Sequence, residues 1–304
     1  MEEKYSKIHP ELRQTAKMSP RFNFSRKTLW LINLMMRLAP ASKPPKDIRV
    51  ENIYIQGQDD QTRIRLRLYK PKPAAAPTPV LIWLHGGGYV TGRPEMDDRA
   101  CADYARELGI AVVSVDYRRA PKHPFPAGLE DSASALKWAA SHAHQLGVDA
   151  MRIAVGGASA GGGLAAALAQ LAHDRLEIKP VFQLLVYPML DDRTVLRAEV
   201  DDSSNVMWTQ KSNRFGWESY LGQACGAGDV PAYAVPARRA HLSGLPPAWI
   251  GVGSLDIFHD EDAAYAQRLA ACGVACELEV IPGAFHGFDV FDPRLPIVQG
   301  FRRS

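Results

Sequence analysis

One serine in this chain stands among residues too small to crowd it. Gly157-Ala158-Ser159-Ala160-Gly161 follows the apolar run Ile153-Ala154-Val155 and precedes a helix-forming stretch, Leu164 to His173. A serine hydroxyl is a weak nucleophile until a neighbouring base takes its proton and a third group orients that base. The G-x-S-x-G pattern supplies such a serine when a strand turns sharply into a helix. The turn leaves no room for side chains two residues before or after the serine, which is what Gly157 and Gly161 provide. The following helix aims backbone N–H groups and its positive end at the hydroxyl. A phosphate cradle fits less well: the glycine spacing misses the dinucleotide pattern, and no lysine follows.

The base and its orienting acid have candidates further along. Asp256 follows the apolar run Ala248 to Gly253, and His286 follows Leu278 to Phe285. Each lies just past the C-terminal end of an expected strand. The chain order Ser, Asp, His is that of the α/β-hydrolase arrangement. Asp260 and Asp262 compete for the orienting role, but they fall on the next helix and read as a solvated face or an N-terminal charge. His85-Gly86-Gly87-Gly88 ends another buried strand. Glycines there let backbone N–H groups approach a tetrahedral oxyanion, with the N–H of Ala160 as a further donor.

The elements that must position these residues follow from apolar patterning. Val80 to Leu84, Ile110 to Val115, Ile153 to Val155, Val181 to Val186, Ala248 to Val252 and Cys276 to Ile281 are short apolar runs, as in strands covered on both faces. Helical stretches alternate with them at Met96 to Leu108, Ala127 to His144, Leu164 to Arg175 and Asp260 to Ala271. Ile48 to Ile55 and Ile64 to Tyr69 alternate apolar and polar residues, as in an antiparallel pair with one wet face. The expectation is an α/β fold with a mostly parallel sheet of about eight strands flanked by helices. Leu29, Ile32, Met35, Met36 and Ala39 recur at helical spacing and read as a core-facing stripe, closed by Pro40, Pro44 and Pro45. About sixty residues separate Val186 from Ala248, rich in aromatics, so this connection should hold helices of its own. Together the segments at about 1–45 and 190–235 are expected to form a helical cap on a single domain spanning 1–304.

Composition excludes several classes. The net charge of +3 is small and its signs are interleaved, so no nucleic-acid partner is expected. The Thr28 to Ala39 stretch is interrupted by Asn33 and Arg37 and is too short to span a bilayer, so no membrane partner is expected. Nor does the charged start, Met1-Glu2-Glu3-Lys4, resemble a secretory leader. Cys101, Cys225, Cys272 and Cys276 are scattered and read as small buried thiols of a reduced, cytoplasmic protein. Cys272 and Cys276 lack a second pair to complete a metal site, and no metal is expected.

His85-Gly86-Gly87-Gly88-Tyr89, Asp116 to Pro121, His123 to Ala127, Gly157 to Gly162 and His286-Gly287-Phe288 together resemble the bacterial hormone-sensitive-lipase family of carboxylesterases, from about residue 45 to 290. The resemblance implies a capped α/β-hydrolase fold and cleavage of short-chain acyl and aryl esters, small-molecule substrates, without cofactor or metal. It implies Ser159 as nucleophile, His286 as base and Asp256 as its partner, with an acyl-enzyme intermediate. Gly87, Gly88 and Ala160 become the oxyanion donors, and His85 the residue that holds the glycine loop. Tyr89, Met207, Trp208, Phe215 and Phe285 are candidates for pocket walls. Many relatives pair through the sheet edge, so a homodimer is an expectation. Three residues depart from the family pattern. Ala158 stands where Asp or Thr is usual, Arg119 where Leu is usual and Lys122 where Glu is usual; the last two read as surface charges. The same triad would serve amide or carbamate cleavage. The plant gibberellin receptors resemble this family but lack the histidine, and His286 stands against a receptor reading.

Overall fold

The structure, a computed structural model, describes residues 5–19, 23–38, 45–59, 61–72, 77–197 and 206–304. Among the described residues eight strands form one sheet: β1 (Ile48–Gln56), β2 (Arg63–Pro71), β3 (Thr78–Leu84), β4 (Ala111–Asp116), β5 (Val148–Ala158), β6 (Phe182–Val186), β7 (Ala248–Gly253) and β8 (Cys276–Ile281). Their spatial order is β1-β2-β4-β3-β5-β6-β7-β8. β1, β2 and β4 pair antiparallel, and every other neighbouring pair is parallel. The burial follows from the connections. Parallel neighbours need crossovers, the crossovers bring helices onto both faces, and β4 and β7 are accordingly buried almost throughout.

The helices are α1 (Arg13–Met18), α2 (Arg26–Leu38), α3 (Asp98–Leu108), α4 (Ala127–Ser141), α5 (Ala143–Leu146), α6 (Ala160–Arg175), α7 (Gln210–Leu221), α8 (His259–Ala271) and α9 (Pro296–Arg303). α6 is the central one. Its alanines and glycines are buried along most of its length, so it lies tight against the sheet under the serine turn. α3 stops at Gly109, which takes φ +65°, a left-handed cap that glycine adopts without cost.

Four sequence expectations need correction. The stripe on α2 is turned: Leu29, Ile32, Asn33 and Met36 face inward, while Met35 is 63% exposed. Ala39, Pro40 and Pro44 lie outside the described residues. Periodicity placed Leu29, Ile32 and Met36 correctly and missed Met35, because α2 is apolar on both sides. Asp262 is fully buried rather than solvated, whereas Asp260 is exposed and paired with Arg197. Cys272 and Cys276 are only half-buried, unlike Cys101 and Cys225. Arg119 is a partly covered ion-pair partner of Asp116, at 2.8 Å, rather than a free surface charge; Lys122 is exposed. The long connection after β6 holds α7 and short 3₁₀ turns, with 198–205 outside the described residues.

Candidate active site

Ser159 terminates β5 with φ +56° and ψ −122°, a conformation that costs a non-glycine residue about 1–3 kcal/mol. Three backbone bonds impose it. The Ser159 N–H donates to the Val186 carbonyl at 2.9 Å, and its carbonyl accepts from Gly163 and Met189, each at 3.0 Å. Gly157 and Gly161 let the chains close around the turn. A Cβ on Gly157 would lie 2.5 Å from the Leu84 oxygen, and one on Gly161 would lie 2.5 Å from the His85 oxygen.

Asp256 sits in the turn after β7, with its Oδ1 accepting from the Phe258 N–H at 3.0 Å. Its Oδ2 lies 2.7 Å from His286 Nδ1, and His286 Nε2 lies 3.0 Å from Ser159 Oγ. The carboxylate is sealed from solvent, while the imidazole keeps 11% of its side chain exposed. With Nδ1–H donating to Asp256, Nε2 is left to accept the serine proton. Tyr187 and Phe258 pack on the imidazole in T-shaped geometry, with centroids at 4.8 and 5.1 Å. Neither was identified from the sequence, and Tyr187 carries no periodic signal. It sits at the top of β6 with φ +35°, and its hydroxyl donates to Asp289 at 2.8 Å.

The glycine loop lies against the serine turn: a Cβ on Gly86 would stand 3.4 Å from Ser159 Cβ. Gly87 and Gly88 have φ +119° and +59°. No side chain fits there, because a Cβ on Gly88 would meet the Trp208 ring at 2.6 Å and one on Gly87 the Thr91 carbonyl carbon at 2.7 Å. His85 stands beneath the loop, completely buried, with its ring stacked on Tyr117 at 4.3 Å and Nδ1 2.8 Å from the Gly86 carbonyl. Burial, aided by the Arg119 charge, pushes its pKa down to about 4. It is therefore neutral at pH 7, with Nδ1–H donating to Gly86. Ala160 opens α6, so its N–H has no acceptor within the helix.

The five wall candidates separate. Trp208 is buried and stands over Gly88; Met207 is half-buried, its terminal carbon 3.7 Å from where a Gly287 side chain would begin. Phe215 is half-buried against the main core. Tyr89 and Phe285 are buried in the core, at 2% and 0% exposure. Tyr89 stacks on Tyr220 and donates to the Met189 carbonyl at 2.9 Å. Elements of both suspected cap segments meet here, since Phe24 packs on Trp208 at 5.2 Å and α7 approaches the glycine loop through Gly216.

Two further carboxyls were misjudged or missed. Glu261 is buried and accepts from the Leu190 N–H at 2.6 Å, the Asp191 N–H at 3.1 Å and the Thr194 hydroxyl, tying α8 to the loop after β6. Asp262 has no hydrogen-bond partner for either oxygen among the described residues. Burial, with Glu261 and Asp256 nearby, pushes its pKa well above the usual carboxylate value. Among the described residues no group of three or more His, Cys, Asp or Glu could hold a metal ion, and no helix is long and apolar enough to cross a membrane.

This geometry has counterparts in known proteins. The α/β-hydrolase fold family matches residues 81–290. Esterase LipI of Mycobacterium tuberculosis is 37% identical over 257 residues, covering 83% of this chain and 79% of its own. The ethyl acetate hydrolase of Pseudomonas putida is 34% identical, covering 82% of this chain and 78% of its own. The solved structure of a bacterial heroin esterase superposes with a TM-score of 0.88 at 35% identity, covering 98% of this chain and 96% of that one. The chain thus belongs to the bacterial hormone-sensitive-lipase-like carboxylesterases of the α/β-hydrolase fold and is a carboxylic ester hydrolase.

Proposed function

We propose that Ser159, His286 and Asp256 are the catalytic triad, and that the reaction is hydrolysis of short-chain acyl and aryl esters through an acyl-enzyme. The observation that carries this reading is the continuous hydrogen-bonded line from Ser159 Oγ through the imidazole to Asp256, at 3.0 and 2.7 Å. His286 takes the hydroxyl proton as Oγ attacks the ester carbonyl. Asp256 holds the ring orientation and stabilises the imidazolium. The N–H groups of Gly87, Gly88 and Ala160 take up the oxyanion. His286 then returns the proton to the departing alkoxide, and a water repeats the sequence on the acyl-enzyme. In this reading His85 donates to Gly86 and fixes the loop, and the segments at about 1–45 and 190–235 roof the site as a cap on one domain. Ala158 supplies no polar side chain beside the turn, so the serine relies on backbone bonds there. The name of the Pseudomonas relative, an ethyl acetate hydrolase, supports a small acyl group. The free thiols suit a reducing, cytoplasmic setting.

Ser159→Ala tests the assignment. Turnover of p-nitrophenyl butyrate should fall by several orders of magnitude with the thermal midpoint retained, leaving roughly 10³- to 10⁴-fold over water. A phosphonate ester should add one equivalent of mass to the wild-type chain at Ser159 and none to the variant. Near-normal turnover by the variant, or labelling elsewhere, sinks the triad.

A further inference from the structure

α2 is apolar on both sides, and only one side is covered. Its inner face docks on the loop that follows the glycines: the Thr91 hydroxyl donates to Asn33 Oδ1 at 2.7 Å, and the Arg93 guanidinium donates to the Met36 carbonyl at 3.0 Å. Leu29 is buried beneath it. The opposite face carries Trp30, Leu31, Leu34, Met35 and Leu38, exposed by 65, 46, 43, 63 and 73%. At 100° per residue these five fall within one arc of the helix, about 180° from the docked arc. Large apolar side chains gathered this way on a surface mark an interaction face rather than scatter.

We propose that this face is an interfacial anchor that lays the mouth of the site onto an anionic phospholipid surface. Charge selects that occupant. The helix sequence carries Arg26, Lys27 and Arg37 and no acidic residue. A cationic helix with Trp, Leu and Met on one face suits a negatively charged headgroup layer, where the rings and chains enter the acyl boundary and the cations stay among phosphates. Two copies of the chain pairing along this face would bring like charges together with no acid on the helix to offset them. A protein groove that grips an amphipathic helix takes anchors on a helix otherwise free to be enclosed. Here half the circumference is already committed to Thr91, Arg93 and the core, so a flat surface fits better than a groove. Lying on a bilayer differs from crossing one, and a thirteen-residue helix is enough for the first. The sequence expectation of no membrane partner rested on the lack of a spanning stretch, and this proposal departs from it.

The test uses the full chain and vesicles. Flotation with mixed phosphatidylglycerol and phosphatidylcholine vesicles should recover the protein in the lipid fraction, and phosphatidylcholine alone should recover much less. Added salt should weaken binding. The double variants Trp30→Ser/Leu34→Gln and Arg26→Gln/Lys27→Gln should each lower the partition coefficient by about tenfold or more. Both should keep the wild-type circular dichroism spectrum and thermal midpoint, which shows that they fold. No binding to anionic vesicles, equal binding to neutral ones, or unchanged binding by the apolar variant overturns the proposal. So does a concentration-dependent dimer that Trp30→Ser/Leu34→Gln abolishes without any vesicle binding. Because the readout is partition, its outcome is independent of the triad assignment.

Discussion

Gly161→Ala isolates the closeness of the chains around Ser159. The new methyl would stand 2.5 Å from both the Leu84 carbonyl carbon and the His85 oxygen, where ordinary contact begins near 3.4 Å. Both obstacles are backbone, so no side chain can swing away. The end of β3 and the start of α6 must part by about 1 Å or more, and this strand end carries the Gly86-Gly87-Gly88 loop. Helix propensity acts in the opposite direction, since alanine inside a helix gains about 1 kcal/mol over glycine. Overpacking a well-filled site costs about 1–3 kcal/mol, and a displaced backbone belongs at the upper end, so the net effect is a loss of about 1–2 kcal/mol. Activity should suffer more than stability, because a displacement of about 1 Å between reacting groups costs roughly 10²-fold. Gly228→Ala is the control: nothing lies within 4 Å of its added carbon. Urea midpoints and kcat/KM for p-nitrophenyl butyrate, measured for both variants, decide the matter. Gly161→Ala with kcat/KM within twofold of wild type would refute the claim that this approach sets the catalytic geometry.

His85 ties stability to pH. Its folded pKa of about 4 lies below the reference value of ~6.5, so between these values the unfolded chain binds the extra proton, and stability falls as pH drops through that window. The contribution is about 3 kcal/mol, and His85→Asn, which keeps a donor for Gly86, should flatten the urea midpoint between about pH 6.5 and 4 relative to wild type; parallel curves would show that the buried ring does not titrate as argued. An enclosed acyl pocket gains roughly 0.8 kcal/mol per CH₂ until the chain reaches its wall, so kcat/KM across p-nitrophenyl esters should rise and peak at a short chain. A maximum at dodecanoate or beyond would reject the short-chain reading. Treatment with a chelator should leave ester turnover unchanged; a loss restored by one added metal ion would reveal a required site.

The serine turn was legible because all its signals are local: two glycines at fixed offsets, an apolar run before and a helix former after. β5 was legible only in its inner half. Val148–Ala158 is one strand, but Asp149, Met151 and Arg152 at its outer end are polar or exposed and break the apolar run. Asp262 illustrates a signal that was present and outweighed. An acid in the first turn of a helix ordinarily faces water and the helix dipole. Yet Asp262, Ala266 and Leu269 stand at i, i+4 and i+7, which is the spacing of a buried face, and all three are buried. On α2 the same arithmetic placed Leu29, Ile32 and Met36 but missed Met35, for the opposite reason. Two apolar arcs border each other at Met35, and partners far away in sequence, Thr91, Arg93 and the core around Leu29, decide which one turns inward.

The residues around His286 follow from sheet order more than from spacing. Ser159, Asp256 and His286 top β5, β7 and β8, and in the sheet β6 stands between the first two. The turn after β6 therefore cannot be a bystander: its Tyr187 edges the imidazole, its Met189 N–H holds the Ser159 carbonyl, and the Val186 carbonyl holds the Ser159 N–H. Nothing local marks this turn in the sequence, because it opens the long connection toward α7 and carries no glycine or histidine motif. The topology alone would have marked it, since in a parallel sheet every C-terminal turn between two catalytic strands must border the site. Glu261 completes the arrangement from the far side. Its three hydrogen bonds fasten residues 190–194 to α8, the helix that starts just after Asp256, so the acid turn and the serine turn are braced through β6 rather than directly.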